Sequence, residues 1–289
     1  MNGCEAGDWL GCWRVDVRLG LRVRPPTFVV LACVALALAL SLMPRLGFSS
    51  ALATQTPTLQ VRVVARFPHD PNAFTQGLVI VDSELYEGTG GYGESVLRRV
   101  DLKTGRVLEQ VELPDRWFGE GITDWQDELI QLTWRAGVGL RYDKATLAPR
   151  GRFSIRGEGW GLTHDGRHWI MSDGSAELRF LDPADGRELR RLRVMDGAKP
   201  VQRLNELEYV GGEVWANLWY EDRLVRIDPA NGQVLGYIDL GGLWPDDQPR
   251  RHDQVLNGIA VDPQTGDLFV TGKRWPWLYH IEVIEGATD

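Results

Sequence analysis

Glu120 is the acidic side chain whose sequence surroundings best suit it to catalysis. It stands between Gly119 and Gly121, behind an aromatic pair and ahead of a β-branched strand start. Glycine on both sides is expected to let the backbone turn tightly and to leave the carboxylate open to approach. A carboxylate placed in this way could act as a general acid and base. The alternative is a structural role, in which Glu120 binds neighbouring backbone amides.

The phrase around Glu120 recurs in altered form four more times along the chain. Each copy ends in an apolar residue, and the residue two positions before it is polar or aromatic. These equivalent positions hold Gln76, Glu120, Trp160, Asn205 and Asn257. Five repeats of one structural unit would therefore direct five hydrogen-bonding or aromatic side chains to equivalent places in the fold.

A second set of candidates stands where the next strand of each repeat is predicted to end. This set is Thr89, Trp134, Asp173, Trp219 and Lys273. The two sets together would form a pocket with three indoles, one carboxylate, one ammonium group and several amides. Simpler roles stay open: the tryptophans could pack between repeats, the asparagines could satisfy backbone groups, and Lys273 could be a solvated surface charge. We interpret Asp173 as a turn-former.

The elements that must position these residues are short β-strands. From Val61 onward, apolar or alternating runs are separated by Gly, Asp, Asn and Pro, and there is no convincing amphipathic helix. Five units of about 40 to 50 residues, each with four short antiparallel strands, predict an all-β, five-bladed β-propeller. The fifth unit ends near Val283 after its third strand, and the strand 61–66 is predicted to complete it and close the ring. A two-sheet sandwich and a six-bladed ring are the rival folds.

A turn of the form Asp-x-x-x-Gly joins the third and fourth strands in three of the units. These turns begin at Asp101, Asp182 and Asp228. Aspartate and glycine at these places favour a tight turn. The second unit has Asp143 but lacks the glycine, so a different turn is expected there.

The N-terminal region has the order of a secretory signal. An apolar run at 28–40 follows several arginines and precedes the small residues of 51–53. The run is shorter than the ~20 residues of a membrane span. Its extension to Met43 leaves an uncleaved signal-anchor as the alternative, with membrane anchoring through residues 28–43.

These signals divide the chain into three parts. They predict a signal peptide or signal-anchor at 1–53, a linker at 54–59 and a propeller domain that carries the catalytic site at 60–285. The protein is therefore expected to be exported, to the periplasm or outside the cell. Nothing in the sequence indicates an oligomer, so we expect a monomer.

Composition excludes several classes of function. The three cysteines, Cys4, Cys12 and Cys33, precede the predicted domain, which therefore has no thiol for a disulfide, a metal or a nucleophile. Residues 54–289 carry 27 basic against 37 acidic side chains, a net charge of −10. Phosphate contacts need a basic face, so nucleic acid is not expected as a partner.

The histidines do not predict a metal centre. His164 and His168 are four residues apart, but Asp165 and Gly166 between them indicate a hairpin turn rather than a helix. Neither a Gly-x-Ser-x-Gly elbow nor a glycine loop leading into a helix is present. We therefore predict no metal and no cofactor.

Phrases distributed over nearly all of residues 62–283 resemble glutaminyl-peptide cyclotransferases of the plant and bacterial type. The phrases are FTQGL (74–78), LYEGTGGYGES (85–95), FGEGIT (118–123), LTW (132–134), GEGWGLT (157–163), LNELE (204–208), ANLWY (216–220), LNGIAVDP (256–263) and TGKRWPWLY (271–279). The resemblance implies a five-bladed propeller that converts an N-terminal glutamine of peptides to pyroglutamate and releases ammonia. It implies a pocket formed by Phe74, Gln76, Phe118, Glu120, Trp134, Trp160, Asn205, Trp219 and Lys273.

A mechanism follows as a hypothesis from this resemblance. Glu120 accepts a proton from the attacking amine and delivers one to the departing nitrogen, while Lys273, with Gln76 or Asn205, polarises the amide oxygen. The three tryptophans and two phenylalanines form a cage that excludes water.

The alternative from another class of function is a non-catalytic propeller that binds peptide N-termini. A lactonase or a quinone-dependent dehydrogenase is disfavoured, since the sequence has no metal-ligand set or recognisable cofactor site.

Overall fold

The computed structural model describes residues 56–245 and 247–284. These residues form strands, turns and loops, with no helix among them, so the prediction of an all-β fold is confirmed. None of the described segments is a helix that could cross a membrane. The predicted signal or signal-anchor lies outside the described residues.

The strands form groups that follow one another along the chain. Strand β1 (Thr58–Pro68) comes first. The first group contains β2 (Thr75–Val81), β3 (Glu84–Thr89), β4 (Val96–Val100) and β5 (Val107–Glu112). The second contains β6 (Gly119–Trp125), β7 (Glu128–Thr133), β8 (Val138–Asp143) and β9 (Pro149–Ser154). The third contains β10 (Leu162–His164), β11 (Trp169–Met171), β12 (Glu177–Leu181) and β13 (Glu188–Arg193).

A two-stranded hairpin separates the third group from the rest. It consists of β14 (Met195–Asp196) and β15 (Lys199–Pro200), and the sequence analysis did not predict it. The fourth group contains β16 (Leu204–Val210), β17 (Glu213–Leu218), β18 (Arg223–Ile227) and β19 (Val234–Asp239). The last contains β20 (Leu256–Val261), β21 (Leu268–Gly272) and β22 (Trp277–Ile284). Neighbours within each group pair antiparallel in chain order.

Strand β1 pairs with both of the last two groups. It runs antiparallel to β22, from Gln60 opposite Ile284 to Pro68 opposite Trp277. Its first residues, Thr58 and Leu59, pair parallel with β19, which joins the two groups into an eight-stranded sheet. The predicted strand 61–66 lies within β1. The last two residues of the predicted linker at 54–59 belong to this strand as well, because their backbone groups are paired.

The first strands of the groups contact one another in sequence. Strand β2 contacts β6 and β20, β6 contacts β10, β10 contacts β16, and β16 contacts β20. The buried carboxyl of Glu206 on β16 joins three of them, because it accepts hydrogen bonds from Leu78 N of β2 at 3.3 Å and Ile259 N of β20 at 2.8 Å. Burial raises the pKa of Glu206 well above its usual range, and the nearby Glu208 adds to the rise.

Apolar side chains fill the space between neighbouring groups. One cluster joins Val79 and Leu97 of the first group to Ile122 and Leu129 of the second. These side chains are almost wholly removed from water, which contributes about 25 cal/mol for each Å² of apolar surface buried. The core thus holds the groups together face to face.

The second group has a fourth strand, β9, that the sequence analysis did not assign. The turn before it begins at Asp143, whose carboxylate accepts from Thr146 N at 2.9 Å. Leu147 takes the place that Gly105 holds in the first group, and it adopts a φ of 52°, against 68° for the glycine. This conformation is unfavourable for leucine, but the side chain is buried, and burial offsets the strain. The turn therefore resembles the others despite its different sequence.

Candidate active site

A repeated irregularity in the strands sets the position of the first candidate set. The pairing register between the first and second strands shifts across Thr75–Gly77, 119–122, 204–207 and 256–259. Such β-bulges place an extra residue on one strand and re-aim its side chain. Gln76, Glu120, Asn205 and Asn257 all lie at these shifts, which explains why their positions in the sequence are equivalent.

The glycines beside Glu120 have a different role from the one predicted. Gly119 and Gly121 are part of the extended strand β6, so the expected tight turn around Glu120 is wrong. A Cβ on Gly121 would lie 2.5 Å from the carbonyl oxygen of Trp160, and a Cβ on Gly77 would lie 2.3 Å from Ile122 N. Glycine is required because the backbones of neighbouring first strands approach too closely for a side chain.

All nine residues of the predicted pocket line one cavity of about 240 Å³. They are Phe74, Gln76, Phe118, Glu120, Trp134, Trp160, Asn205, Trp219 and Lys273. Four more residues, which the sequence analysis did not select, also line it: Tyr220, His252, Asp253 and Val255. The structure therefore brings together side chains from all five groups of strands.

The cavity has a polar floor and aromatic walls. Gln76, Glu120, Asn205 and Lys273 are buried and form the floor. The five aromatic side chains of the predicted pocket are half-buried and form the walls. Tyr220 and His252 are exposed and form the rim.

Three other candidates lie outside the lining of this cavity. Asn257 Nδ2 donates to the carbonyl oxygen of Thr75 at 2.9 Å, which is the backbone role left open for it. The Thr89 hydroxyl accepts from Val96 N at 3.1 Å. The Asp173 carboxylate accepts from Ser175 N at 3.2 Å and from its hydroxyl at 2.5 Å, in agreement with a turn-former.

Glu158 fixes two of the aromatic walls. Its Oε2 accepts from the indole nitrogens of Trp134, at 2.8 Å, and Trp160, at 3.0 Å, while Arg135 Nε donates to Oε1 at 2.8 Å. The Trp160 ring meets Trp219 edge-on with centroids 5.2 Å apart. The sequence analysis did not select Glu158, although it stands between two glycines just as Glu120 does.

Glu120 and Lys273 shift each other's proton affinity in the floor. Burial raises the pKa of Glu120 well above its usual range, the Lys273 ammonium opposes that rise, and the Glu158 carboxylate adds to it. Burial also lowers the pKa of Lys273 to about 8, against the opposing attraction of Glu120. The Lys273 Nζ lies 4.8 Å from the centre of the Phe74 ring, a distance suited to a cation–π contact. Burial thus disfavours the charged form of both groups, which raises the pKa of Glu120 and lowers that of Lys273.

Gln76, which lines the cavity, has an unsatisfied hydrogen-bond acceptor. Its Oε1 is buried, and no donor among the described residues reaches it. A buried oxygen without a partner carries a desolvation cost of about 1 to 3 kcal/mol. A bound molecule with an N–H group would remove that cost.

A buried ion network lies directly behind the floor. Glu87 accepts from Thr75 Oγ1 at 2.6 Å and from the Arg98 guanidinium at 2.8 and 2.9 Å. His69 Nε2 lies 3.1 Å from the same carboxylate, and His69 Nδ1 lies 2.7 Å from the carbonyl oxygen of Trp275. The network thus connects the residue before Gln76 with the loop that follows Lys273. No sequence motif indicated it, because its members come from separate strands and loops.

The described residues contain no group of three or more His, Cys, Asp or Glu that could hold a metal ion. The floor of the cavity offers one carboxylate, one amine and two amides. Such a set can transfer protons and stabilise a developing negative charge.

A family model, a curated protein and a solved structure that resemble this chain have closely related descriptions. Residues 32–283 match the family model described as glutamine cyclotransferase. The chain is 41% identical over 232 residues to the glutaminyl-peptide cyclotransferase of Arabidopsis thaliana, covering 79% of this chain and 72% of that protein. It is 33% identical to the glutaminyl cyclase of Myxococcus xanthus, whose crystal structure it matches with a TM-score of 0.76 over 80% of this chain and all of the other.

Proposed function

Because the chain belongs to the glutamine cyclotransferase family, we propose that the cavity around Glu120 and Lys273 is its catalytic site. The enzyme converts the N-terminal glutamine of a peptide to pyroglutamate and releases ammonia. The observation that carries the assignment of the site is the burial of Glu120 and Lys273 in one floor beneath aromatic walls.

The substrate supplies both reacting groups of the cyclisation. The α-amine attacks the side-chain amide carbon of the same residue, so the step is intramolecular and gains from proximity. The aromatic walls hold the glutamine side chain folded back toward its own amine. They also keep out water, which would otherwise compete as a nucleophile and yield glutamate.

Glu120 moves the proton. When the neutral amine attacks, a new C–N bond forms and the attacking nitrogen becomes positively charged. Its proton passes to the Glu120 carboxylate and then to the amide nitrogen, whose bond to carbon breaks as ammonia leaves. The raised pKa of Glu120 suits it to both transfers, since a carboxyl of ordinary pKa would be a weak base.

Lys273 and the amides of Asn205 and Gln76 bind the oxygen and an N–H group of the substrate. The Lys273 ammonium and the Asn205 amide stabilise the negative charge that develops on the amide oxygen. The unsatisfied Oε1 of Gln76 accepts a hydrogen bond from an N–H of the substrate. We assign no metal to these steps, because the charge that each one develops has a partner among the floor residues.

We also propose that the strands close into a five-bladed propeller. The contacts from β2 through β6, β10, β16 and β20 back to β2 support a ring. The antiparallel pairing of β1 with β22 supplies the fourth strand of the last blade. In such a ring the bulges of successive first strands would face one end, where the cavity lies.

Export of the protein is a further part of the proposal, and it rests on the sequence. Residues 1–53 would direct the chain out of the cytoplasm as a signal peptide, or keep it at the membrane as an anchor through residues 28–43. The domain that follows would act as a monomer on peptides or proteins with an N-terminal glutamine.

Ammonia release from Gln-Phe-Ala tests the proposed site. The purified protein is expected to cyclise this peptide, with the corresponding mass loss, in the presence of a metal chelator. Abolished turnover on chelation, restored by a metal, would contradict the metal-free mechanism. Tight binding of the peptide without ammonia release would instead favour a binding module.

A further inference from the structure

A row of aromatic rings leads from the cavity wall to the protein surface. The Trp219 and Tyr220 ring centroids are 4.5 Å apart, with the planes tilted by 39°. The Tyr220 and His252 centroids are 4.7 Å apart, with a tilt of 42°. Tyr220 Oη and His252 Nδ1 lie 3.2 Å apart, which ties the outer two rings together.

The backbone holds the Tyr220 ring in this row. Strand β17 ends at Leu218, and Glu221 N donates to the Leu218 carbonyl oxygen at 2.9 Å, which closes a tight turn. Tyr220 lies within this turn and adopts a φ of 66°, a conformation that is uncommon for a bulky residue. Tyr220 is 43% exposed, so burial of its side chain offsets little of this strain. Strained backbone with an exposed aromatic ring at the edge of a catalytic cavity suggests a functional role.

The charges beside this row are already paired. Asp253 lies 3.1 Å from Arg274 and 3.2 Å from Arg251, and Arg135 is paired with Glu158. The ion pairs are partly exposed and contribute little to stability, but each one neutralises a charge at the rim. The rim therefore presents aromatic faces more than net charge to a molecule that leaves the cavity.

A bound peptide must leave the cavity on its open side. When the N-terminal glutamine occupies the floor, the residue that follows it lies at the height of the rim. We propose that Tyr220 and His252 form a second subsite, which binds the side chain of the residue after the N-terminal glutamine and favours an aromatic one. This subsite rests on the proposed function, because it requires glutamine in the cavity.

Stacking of one more ring on this row should give a modest preference. Contact between the substrate's aromatic ring and this row is expected to strengthen substrate binding by roughly two- to tenfold, beyond the effect of the apolar area that is buried. The contact is made equally in the bound state and in the transition state, so it should lower KM and leave kcat little changed.

The test compares Gln-Phe-Ala with Gln-Gly-Ala as substrates of the full-length enzyme. We expect the wild type to prefer the phenylalanine peptide in kcat/KM by at least threefold, with the difference in KM. Tyr220→Asn should remove most of this preference, because asparagine tolerates the positive φ but offers no ring. Tyr220→Phe keeps the ring and should retain it, while His252→Ala should weaken it.

Tyr92→Ala is the matched control. Tyr92 is also an exposed tyrosine beside an aromatic wall, with its ring 5.5 Å from Phe118, but it does not line the cavity. Its removal should leave the ratio between the two peptides unchanged. If Tyr92→Ala lost the preference for the phenylalanine peptide while Tyr220→Asn kept it, the subsite would not be formed by Tyr220 and His252.

Two results distinguish failure of the subsite from failure of the proposed function. Equal kcat/KM for the two peptides in the wild type, or an equal fall for both in Tyr220→Asn, would overturn the subsite and leave cyclisation in place. Failure of the wild type to release ammonia from either peptide would overturn the proposed function, and the subsite with it.

Discussion

The Lys273 ammonium and the Glu120 carboxyl share one buried floor, and each favours the charged form of the other. Burial outweighs this attraction for both groups, so the pKa of Glu120 is raised and that of Lys273 is lowered to about 8. Burial disfavours the charged form of any group, which is why the two shifts have opposite signs. The site thus holds an acid and a base whose pKa values are closer together than in water.

Activity should fall on the alkaline side as Lys273 loses its proton. Its pKa of about 8 means that the positive charge is present below that pH and is lost above it. We expect kcat/KM to decline as the pH rises through about 8, since the developing oxyanion loses its charged partner. Lys273→Arg keeps its charge throughout, because arginine does not deprotonate in this range. Kinetics on Gln-Phe-Ala check this, and a wild-type rate that still rises above about pH 9 would contradict it.

Replacement of Glu120 by glutamine should remove the proton transfer and keep the fold. We expect Glu120→Gln to lower kcat by about 10² to 10⁴, the usual contribution of general acid–base catalysis. Thermal stability should not fall, because the change removes a buried ionisable group and keeps its shape. Glu112→Gln, an exposed carboxylate on β5, is the control. Turnover by Glu120→Gln close to the wild-type rate would exclude the proton-transfer role.

Glu158 should act on the catalytic carboxyl through the electric field. Its negative charge raises the pKa of Glu120, so its neutralisation in Glu158→Gln should lower that pKa. The acidic limb of the kcat/KM profile should then move to lower pH, because the Glu120 carboxyl loses its proton at a lower pH. KM should rise as well, since a glutamine oxygen replaces the carboxylate that holds both indoles. An unchanged acidic limb in this variant would show that the field of Glu158 does not reach the reaction.

The buried His69 should stabilise the protein more at low pH than at high pH. Both of its nitrogens face acceptors, the Trp275 carbonyl and the Glu87 carboxylate, so the charged ring satisfies both. Its pKa is raised in the fold: burial lowers it, but Glu87 overcomes this effect. The added stability is therefore complete below the unfolded pKa near 6.5 and is lost as the pH rises through the higher folded value.

Melting temperatures of His69→Ala and the wild type check the pH dependence. His69→Ala should lower the free energy of unfolding by about 1.5 to 3 kcal/mol at pH 6, as for hydrogen bonds to charged groups. The decrease should be smaller at pH 9. His168→Ala, which removes a more exposed histidine paired with Asp165, should cost little at either pH. If His69→Ala instead destabilised the protein more at pH 9 than at pH 6, the His69 ring could not be stabilising the fold in its charged form.

A methyl group on Gly121 should destabilise the contact between neighbouring first strands. The added Cβ would lie 2.5 Å from the Trp160 carbonyl oxygen and 2.7 Å from Leu162 N, both of them backbone atoms. We expect Gly121→Ala to lower the free energy of unfolding by about 1 to 3 kcal/mol, as for overpacked cores. Gly151→Ala on β9 meets no atom within 4 Å and serves as control in chemical denaturation. Equal stability of the two variants would contradict the close approach.

The sequence predicted most of the strands, because their apolar residues recur with the repeat. It did not predict β9, where Phe153 is the only buried side chain and no alternation marks a strand. Seven of the nine pocket residues stand at positions that the repeat selected, the resemblance added Phe74 and Phe118, and the structure brings all nine together. The rim residue His252 and the network of His69 and Glu87 were missed, since they join side chains of separate strands and loops that no repeat or motif links.

The pairing of β1 with β22 has a consequence for the time at which the fold can be completed. Among the described residues, the first strand pairs with the last, so β1 has no partner until β22 has been synthesised. Pairing between strands so far apart in the sequence also carries a large loop-closure entropy and tends to be slow. A chain that cannot finish folding early stays extended for longer, and an extended chain would suit the export that we propose from the sequence, because a translocation pore is narrow.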